Sequence, residues 1–154
     1  MQNPPFVPAD FVPPRSLDTP RFRLEPLGPQ HNDADHAAWT TSVEHLRQTP
    51  GFPLRDGWPP AEGMSLADNE NDLRMHADDF ERRTGFTYTV LDPADDTDVI
   101  GCVYLYPAQE DPQVVEARSW VRADRAELDL PLRHAVRDWL RSQWPFPEVR
   151  YAGI

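Results

Sequence analysis

The spacing of apolar and polar residues changes along the chain. In its first part the spacing is that of neither a helix nor a strand. Eight of the 18 prolines lie within the first thirty residues. Because proline fixes φ and disfavours helix in the residue before it, we expect residues 1–20 to be an extended arm. Phe6, Val7, Phe11 and Val12 give this arm an apolar character. It therefore lies on an apolar surface, either of the same domain or of a neighbouring chain.

A short strand and two helices are predicted next. Residues 21–25 alternate between polar and apolar side chains, as a strand does, and a proline ends the run. Apolar residues at helical spacing predict one helix over residues 33–48 and another that runs from Ser65 to about Arg83. Ser65 is a candidate N-cap of the second helix, and Gly85 supplies its C-terminal stop.

The rest of the chain changes to strand spacing and then returns to helix. Residues 99–106 are apolar on both faces, which is typical of a central strand. The last helix begins between Asp124 and Pro131, and Pro145 and Pro147 end it. The other strands are predicted over residues 86–91, 113–122 and 148–152. The predicted order is therefore strand, two helices, three strands of a meander, helix, strand.

Length and charge exclude several classes of function. The chain has 154 residues, enough for one domain with a sizeable core. Its formal net charge is −11, and all 15 basic residues are arginine. The absence of lysine excludes a Schiff-base lysine, a lysine general base and a phosphate loop that depends on lysine. The acidic balance argues against a nucleic-acid partner, since such a protein needs a dense basic surface.

Cysteine, hydropathy and histidine patterns bear on compartment and cofactors. A single cysteine, Cys102, forms no disulfide within the chain, which favours a reducing cytoplasm. No stretch reaches the roughly 18 apolar residues of a membrane span, and no secretory signal is visible. We therefore expect a cytoplasmic protein with no membrane partner. The histidine spacings do not suit a metal site, so no metal is expected, and His76 is expected on a solvated helix face.

The order of elements and three short segments resemble the GNAT superfamily of acyl-CoA-dependent N-acetyltransferases. The segments are residues 22–27 in the first strand, 99–105 in the third and 119–122 at the end of the fourth. The resemblance covers about residues 20–152 and implies an α/β acyltransferase domain over residues 21–154. Its mixed, mostly antiparallel sheet would have about five strands flanked by three helices, without the family's usual C-terminal helix and hairpin.

The resemblance also implies an acetyl-CoA site between the fourth strand and the last helix. In the family the pantetheine arm pairs with the open edge of that strand, which Trp120, Val121 and Arg122 would supply. The pyrophosphate lies on backbone N–H groups at the start of the following helix, where the helix dipole favours an anion. The corresponding residues of this chain are Arg125, Ala126, Leu128 and Leu130.

This pyrophosphate segment departs from the family pattern. Leu128 and Leu130 stand where the family has small residues, so a phosphate approaches less easily. Asp124, Glu127 and Asp129 add negative charge, although they also make good helix caps. Two functions therefore stay open. One is an N-acetyltransferase, and the other is a catalytically degenerate GNAT-like binding or interaction module that no longer binds CoA in the usual way.

Glu116 is the candidate general base. Acyl transfer to an amine needs a base that removes a proton from the ammonium group. Several members of the family place a glutamate on the fourth strand, and the resemblance assigns this role to Glu116. The alternative is an ordinary ion pair with Arg118 or with a residue of a neighbouring strand. For the general acid, a tyrosine in the family, the candidate is Tyr151, which is a poor substitute because it lies within the last predicted strand.

The acceptor would be a small amine or an amino-terminal group, and the acidic excess outside residues 113–141 suits a cationic amine. Tyr104 and Tyr106 share one face of the third strand and either line the acceptor pocket or belong to the core. The loop over residues 50–63 carries Trp58, which either covers the acceptor or fills the core. The open edge of the sheet invites pairing, so we expect a homodimer.

Overall fold

Each predicted helix and strand has a counterpart in the structure, a computed structural model that describes residues 4–52 and 57–154. The strands are β1 (Leu17–Asp18), β2 (Arg23–Pro26), β3 (Phe86–Asp92), β4 (Asp95–Pro107), β5 (Val114–Val121) and β6 (Glu148–Tyr151). The helices are α1 (Asn32–Thr40), α2 (Val43–Arg47), α3 (Leu66–Arg82) and α4 (Asp129–Gln143). A 3-10 segment, Ala123–Leu128, leads into α4.

The six strands of the described chain form one sheet in chain order. Neighbours are antiparallel from β1 to β5, and β6 runs parallel to β5 after the connection through α4. Glycine is required at Gly101 in β4 because a β-carbon there would collide with the carbonyl oxygen of Trp120 in β5. The predicted fold class, a mixed and mostly antiparallel α/β sheet, is confirmed. The extra strand, β1, has only two residues and no pattern that predicts it.

The helix predicted over residues 33–48 is two helices, which raises the helix number by one. The first ends at Thr40 and the second begins at Val43. Between them the hydroxyl oxygen of Ser42 accepts a hydrogen bond from the backbone N–H of Ala123, 2.9 Å away. This contact ties α2 to the 3-10 segment before α4. No local pattern reveals it, because the two residues are far apart in the sequence.

The third helix follows the capping expectation at its start but not at its end. The Ser65 hydroxyl accepts a hydrogen bond from the backbone N–H of Asp68 at 3.1 Å. The helix stops at Arg83, which adopts the left-handed conformation with a φ of 65°. The expected stop, Gly85, has a different role. It leaves room for the ring of Tyr106, which a β-carbon at Gly85 would strike.

The sheet separates two hydrophobic clusters. The first packs the sheet against α4 and includes Val103, Leu105, Val121, Leu128, Leu132 and Trp139. The second packs it against α1, α2 and α3 and includes Trp39, Leu46, Leu73, Cys102 and Trp120. Adjacent residues of β4 belong to different clusters, which is why that strand is apolar on both faces.

The proline-rich arm lies on the chain's own core. Phe6 and Val7 are buried in the first cluster, and the ring centroid of Phe6 lies 5.8 Å from that of Phe86. The hydroxyl of Tyr88 donates a hydrogen bond to the carbonyl oxygen of Pro14 at 2.6 Å. Of the two surfaces that the sequence left open, the arm therefore uses that of its own domain. Residues 1–3 lie outside the described part.

A buried polar network joins α1 to α3. The side-chain amide of Asn69 donates hydrogen bonds to Asn32 at 2.8 Å and to Asp35 at 3.1 Å. The indole N–H of Trp39 donates to the side-chain oxygen of Asn69 at 2.9 Å. Burial raises the pKa of Asp35 to about 6, although the hydrogen bond from Asn69 acts in the opposite direction. The network fixes the two helices that cover the second cluster.

Candidate functional site

The strands β5 and β6 pair along only half of β5. Parallel pairing runs from Val114 opposite Glu148 to Ala117 opposite Tyr151. The second half of β5, residues 118–121, has no strand on this side within the described chain. Beyond Ala117, residues 118–121 of β5 therefore offer an unpaired edge on this side of the described sheet, and we call this edge the wedge.

Backbone groups of Ser119 and Val121 face this wedge. Successive residues of a strand direct their N–H and C=O groups alternately to its two sides. The N–H of Arg122 donates to a carbonyl of β4 at 2.8 Å, and the carbonyl of Ala117 accepts from Ala152 on the β6 side at 3.0 Å. Ser119 and Val121 share the side of Ala117. Their hydrogen-bonding groups are thus available to a ligand.

Of the three residues predicted for the pantetheine edge, Val121 faces the wedge. The carbonyl of Trp120 and the N–H of Arg122 are directed to β4 instead. The side chain of Trp120 is buried, and its indole N–H donates to the hydroxyl oxygen of Tyr104 at 3.0 Å. Sequence reasoning missed Ser119, which strand alternation counted from Val121 would have found.

A cavity of about 830 Å³ lies beside the wedge, on the face of the sheet that carries α1, α2 and α3. This volume suits a small molecule. The charged and aromatic side chains of its lining include Arg47, Phe52, Tyr104, Tyr106, Glu116 and Arg118. Residues 53–56, which belong to the loop predicted over residues 50–63, lie outside the described part.

Glu116 lies at the rim of this cavity. Its carboxylate is half exposed and lies 3.7 Å from the guanidinium of Arg150 in β6. Arg150 also pairs, at shorter distances, with Glu110 and Glu148. The alternative of an ordinary ion pair therefore exists in the structure, with Arg150 and not with Arg118. Because the contact is long and shared, the carboxylate of Glu116 stays accessible from the cavity.

Arg118 lies in the cavity wall two residues after Glu116. Its guanidinium carbon is 4.7 Å from the ring centroid of Phe52 and 5.2 Å from that of Tyr104, within the range of cation–π attraction. Its Nη1 donates a hydrogen bond to the carbonyl oxygen of Gly51 at 2.9 Å. In the described part of the chain it forms no ion pair with a carboxylate. Sequence reasoning considered this residue only as a partner of Glu116.

Tyr106 is held in the cavity wall by α3. Its hydroxyl donates a hydrogen bond to Asp79 at 2.8 Å, which uses its one proton, so it accepts from Nδ1–H of His76 at 2.8 Å. Burial lowers the pKa of His76 to about 4, although Asp79 acts in the opposite direction, and the imidazole is neutral at pH 7. The expectation of a solvated face for His76 is wrong, because α3 packs this side chain against the sheet.

Tyr104 and Trp58 differ in their relation to the cavity. Tyr104 lines it, and burial raises the pKa of its phenol well above the usual value. Trp58 packs in the second cluster, with ring centroid distances of 5.4 Å to Trp39 and 5.5 Å to Phe52. Of the two roles that the sequence left open for Trp58, filling the core agrees with this position.

Tyr151 borders the wedge from the β6 side. Its side chain is buried, which raises the pKa of the phenol, and its hydroxyl donates a hydrogen bond to Oγ of Ser119 at 2.7 Å. The next residue, Ala152, lies against the loop that follows α2, since a β-carbon on Gly51 would be 3.1 Å from that of Ala152. Tyr151 and Ala152 thus lie beside the point where the open edge of β5 begins.

The segment predicted to hold the pyrophosphate contains residues of different kinds. Leu128 is 2% exposed and packs in the first cluster, whereas Leu130 is 49% exposed. Arg125 lies 3.6 Å from the carboxylate of Asp92, and Ala126 belongs to the 3-10 segment. Leu128 is therefore a core residue and not a loop position where glycine could be introduced without loss of packing.

Three ionisable side chains meet at the start of α4, and we call them the α4 cluster: His45, Asp129 and Arg133. The carboxylate of Asp129 lies 3.1 Å from Arg133 and 4.0 Å from His45. Oδ1 of Asp129, Nε of Arg133 and Nε2 of His45 are buried without a hydrogen-bond partner among the described residues. Burial raises the pKa of Asp129, and Arg133 acts in the opposite direction. Buried nitrogens without partners near a helix N-terminus suit an anion such as a phosphate.

The described residues include no group of three or more His, Cys, Asp or Glu side chains placed to hold a metal ion. None of the helices in that part of the chain is both long and apolar enough to cross a membrane.

Solved structures of several acetyltransferases are similar to this chain. The ribosomal-protein-S5-alanine acetyltransferase from Vibrio fischeri is 12% identical, with a TM-score of 0.60 over 81% of this chain and 66% of that one. A ribosomal L7/L12 alpha-N-protein acetyltransferase in complex with coenzyme A is 12% identical, with a TM-score of 0.61 over 82% and 68%. A GCN5-related N-acetyltransferase from Brucella melitensis is 22% identical, with a TM-score of 0.55 over 85% and 57%.

These similarities concern the fold. No family model matches the chain, and no curated protein matches it. The chain spans 66% of the length of the Vibrio fischeri structure and 57% of the Brucella melitensis structure. The activities in the names of these structures are therefore those of the similar proteins, and the similarity shows only the fold of this chain.

Proposed function

Because the chain has the fold of the GNAT acetyltransferases, we propose that it moves an acetyl group from acetyl-CoA to a small amine or an amino-terminal group. The wedge carries this proposal, since the open backbone of Ser119 and Val121 lies beside a cavity that contains Glu116. A surface for an extended thioester and a base for an amine are thus neighbours. The coenzyme A held by one of the similar structures supports the same co-substrate.

The residues of the wedge and of the α4 cluster fit acetyl-CoA, which would supply the acyl group as an activated thioester. The N–H and C=O groups of Ser119 and Val121 would pair with the amides of the pantetheine arm, as an added strand does. Arg133 and His45 would hold the pyrophosphate once their side chains turn toward it, because the nitrogens that lack partners are buried. For this Asp129 would release Arg133, and its raised pKa eases the loss of its charge.

The 3-10 segment and the first turn of α4 complete the proposed cofactor contacts. Arg125, Ala126 and Leu130 lie in this part of the chain, and Leu130 is exposed enough to touch a ligand. Leu128 and Trp120 contribute through the packing that positions the segment and the strand, since both side chains are buried.

Glu116 would take the proton that the acceptor ammonium must lose before it attacks the thioester. Its carboxylate lies at the cavity rim, where an amine has access. Tyr151 would serve as the acid. Its hydroxyl proton points to Oγ of Ser119, so a proton can pass through that hydroxyl to the sulfur of the departing CoA. Tyr104 and Tyr106 would line the acceptor site, and Trp58 would support its wall through Phe52.

A second function is favoured by the position of Asp129. The α4 cluster holds a partly buried carboxylate where a phosphate would bind, and Leu128 takes up the place of a small residue. A GNAT-like binding or interaction module that no longer binds CoA in the usual way would keep the fold and lose the co-substrate. The two functions therefore differ in whether acetyl-CoA binds.

Calorimetric titration with acetyl-CoA, followed by a thiol-release assay with a panel of amines, tests the proposal. We expect saturable binding in the range of roughly 1 μM to 1 mM and thiol release that depends on the amine. Arg74→Gln is the matched control, because Arg74 is exposed on α3 and pairs only with Glu70 among the described residues. Neither heat nor a thermal shift at millimolar acetyl-CoA would contradict the proposal and favour the binding module.

We also propose a homodimer in the cytoplasm. The outer edge of β6 carries no strand within the described chain, and open edges invite pairing. Cys102, the single cysteine, is buried and free, which suits a reducing compartment. Light scattering at high micromolar concentration should give twice the chain mass of 17.7 kDa. The mass of a monomer alone would contradict the dimer.

A further inference from the structure

Arg118 is a cation of the cavity that lacks an anionic partner in the described chain. Its Nη1 is used by the carbonyl of Gly51, whereas Nε and Nη2 have no hydrogen bond to any described residue. The guanidinium is half-buried and lies against the rings of Phe52 and Tyr104, which limit its movement. Partial burial of a charge without a counter-ion is unfavourable, and such groups cluster at functional sites.

The other arginines of the cavity already have acidic neighbours. Arg150 forms ion pairs with three acids, Glu110, Glu116 and Glu148. Arg47 lies 3.8 Å from the carboxylate of Glu44. Among the described lining residues Glu116 is the one acid. The cavity therefore carries a positive charge that centres on Arg118, although the whole chain carries −11.

The free nitrogens of Arg118 define the chemistry of a partner. Nε and Nη2 lie on the same side of the planar guanidinium and present two parallel N–H donors. This fork matches the two oxygens of a carboxylate. Arg118 and Glu116 also share one face of β5, and two residues along a strand are separated by roughly 6.6 Å. A cationic and an anionic group of one small molecule can reach both side chains.

We propose that Arg118 binds a carboxylate of the acceptor, so that the acceptor is an amine that also carries a carboxylate, such as an amino acid. The inference rests on the proposed acetyl transfer and names its substrate class. The ammonium lies at Glu116 and the carboxylate at Arg118. Such an acceptor is still a small amine, and its carboxylate agrees with the arginines that line the cavity, although the acidic excess of the whole chain suited a cationic amine.

Calorimetry with the full chain tests this inference without acetyl-CoA. The probes are the L-amino acids and their matching amides, which keep the amine and lose the carboxylate. We expect at least one amino acid to bind at least tenfold more tightly than its amide. In Arg118→Gln the affinity for that amino acid should fall by roughly 10- to 100-fold, the worth of a charge-assisted hydrogen bond, and the preference over the amide should vanish. Arg118→Lys should keep part of the preference, and Arg74→Gln all of it.

Equal binding of acids and amides, binding of neither series, or an unchanged preference in Arg118→Gln would overturn the inference. Tighter binding of phosphoethanolamine than of every amino acid would also overturn it and indicate a phosphorylated amine. If Arg118→Gln does not fold, the affinities of the unaltered chain for each amino acid and for its amide still test the inference. Amino-acid binding without thiol release from acetyl-CoA would leave this inference standing while the proposed acetyl transfer fails.

Discussion

The two ends of the proposed site differ in how their polar side chains are partnered. In the cavity Glu116 contacts Arg150, Tyr106 has partners in Asp79 and His76, and the charged groups are open to a ligand. In the α4 cluster a carboxylate, an arginine and a histidine are packed together, with buried atoms that lack partners among the described residues. The cavity is open to a small molecule, whereas the α4 cluster holds an acid at the proposed phosphate site.

This difference indicates what each end contributes. A buried polar atom without a partner costs roughly 1–3 kcal/mol, so a ligand that satisfies the α4 cluster recovers part of that free energy. In the proposed function, the accessible charges of the cavity would instead decide which acceptor binds and how it reacts. We therefore expect substitutions in the cavity to change turnover and selectivity, and substitutions at the start of α4 to change stability and CoA affinity.

The largest expected effect is that of Glu116→Gln on turnover. Loss of the proposed base should lower kcat by roughly 10²- to 10⁴-fold and leave the affinity for acetyl-CoA unchanged, as measured by thiol release and calorimetry. Glu110→Gln is the control, because Glu110 also pairs with Arg150 but does not line the cavity. An unchanged kcat in Glu116→Gln would place the base elsewhere.

Alanine substitutions at Leu128, just before α4, and at Leu130, in its first turn, distinguish a core position from a surface position at the proposed cofactor end. Leu128→Ala should lower the free energy of unfolding by about 2–5 kcal/mol, because it leaves a cavity in the first cluster. Leu130→Ala should change it by about 0.5 kcal/mol or less, since half of that side chain is exposed. Urea denaturation measures both. Equal losses of unfolding free energy in the two variants would mean that Leu128 is not buried in the first cluster.

The pH dependence of stability tests the polar network that supports the cavity side. The pKa of Asp35 is raised from 3.8 to about 6, so the folded state favours the protonated acid. Its contribution to stability is full below pH 4 and is lost as the pH rises through 6. Asp35→Asn removes this loss. The free energy of unfolding of the variant, relative to that of the unaltered chain, should therefore rise by about 1 kcal/mol between pH 5 and pH 7. Urea titrations at several pH values measure it. A difference that does not vary with pH would show that Asp35 is ionised throughout.

A smaller effect is expected from Asp129→Asn on CoA affinity. Removal of one negative charge near a bound phosphate should tighten binding by roughly fivefold, because a unit charge at 4 Å in water is worth about 1 kcal/mol. Asp138→Asn, on the exposed side of α4, is the control. Calorimetry on both variants gives the result. Unchanged or weaker binding in Asp129→Asn would place the pyrophosphate away from the α4 cluster.

Much of the fold follows from the sequence because its signals are local. Apolar residues on both faces predict β4, and Ser65 with Asp68 predicts the start of α3. The break between α1 and α2 has no such signal, since Ser42 is held by Ala123 from a distant part of the chain. The two-residue strand β1 is too short for any pattern.

The candidate site was less predictable because its key features arise between distant segments. The sequence placed Glu116 on the correct strand, but the partner of its carboxylate is Arg150 on β6. The local sequence does not distinguish Arg118 from a surface arginine, because its contacts with Phe52 and Gly51 come from the distant loop after α2. Similarly, the sequence predicts an exposed position for His76, because its contact with Tyr106 depends on how α3 packs against β4.

The most direct test of the wedge as a cofactor site is backbone amide hydrogen exchange in the presence of acetyl-CoA. Ser119 and Val121 face the wedge and lack a strand partner in the described chain, whereas Ala117 is paired with β6 and serves as an internal reference. We expect exchange at Ser119 and Val121 to slow by at least about tenfold at saturating acetyl-CoA, with little change at Ala117. Unchanged exchange at both residues while acetyl-CoA is bound would contradict this expectation.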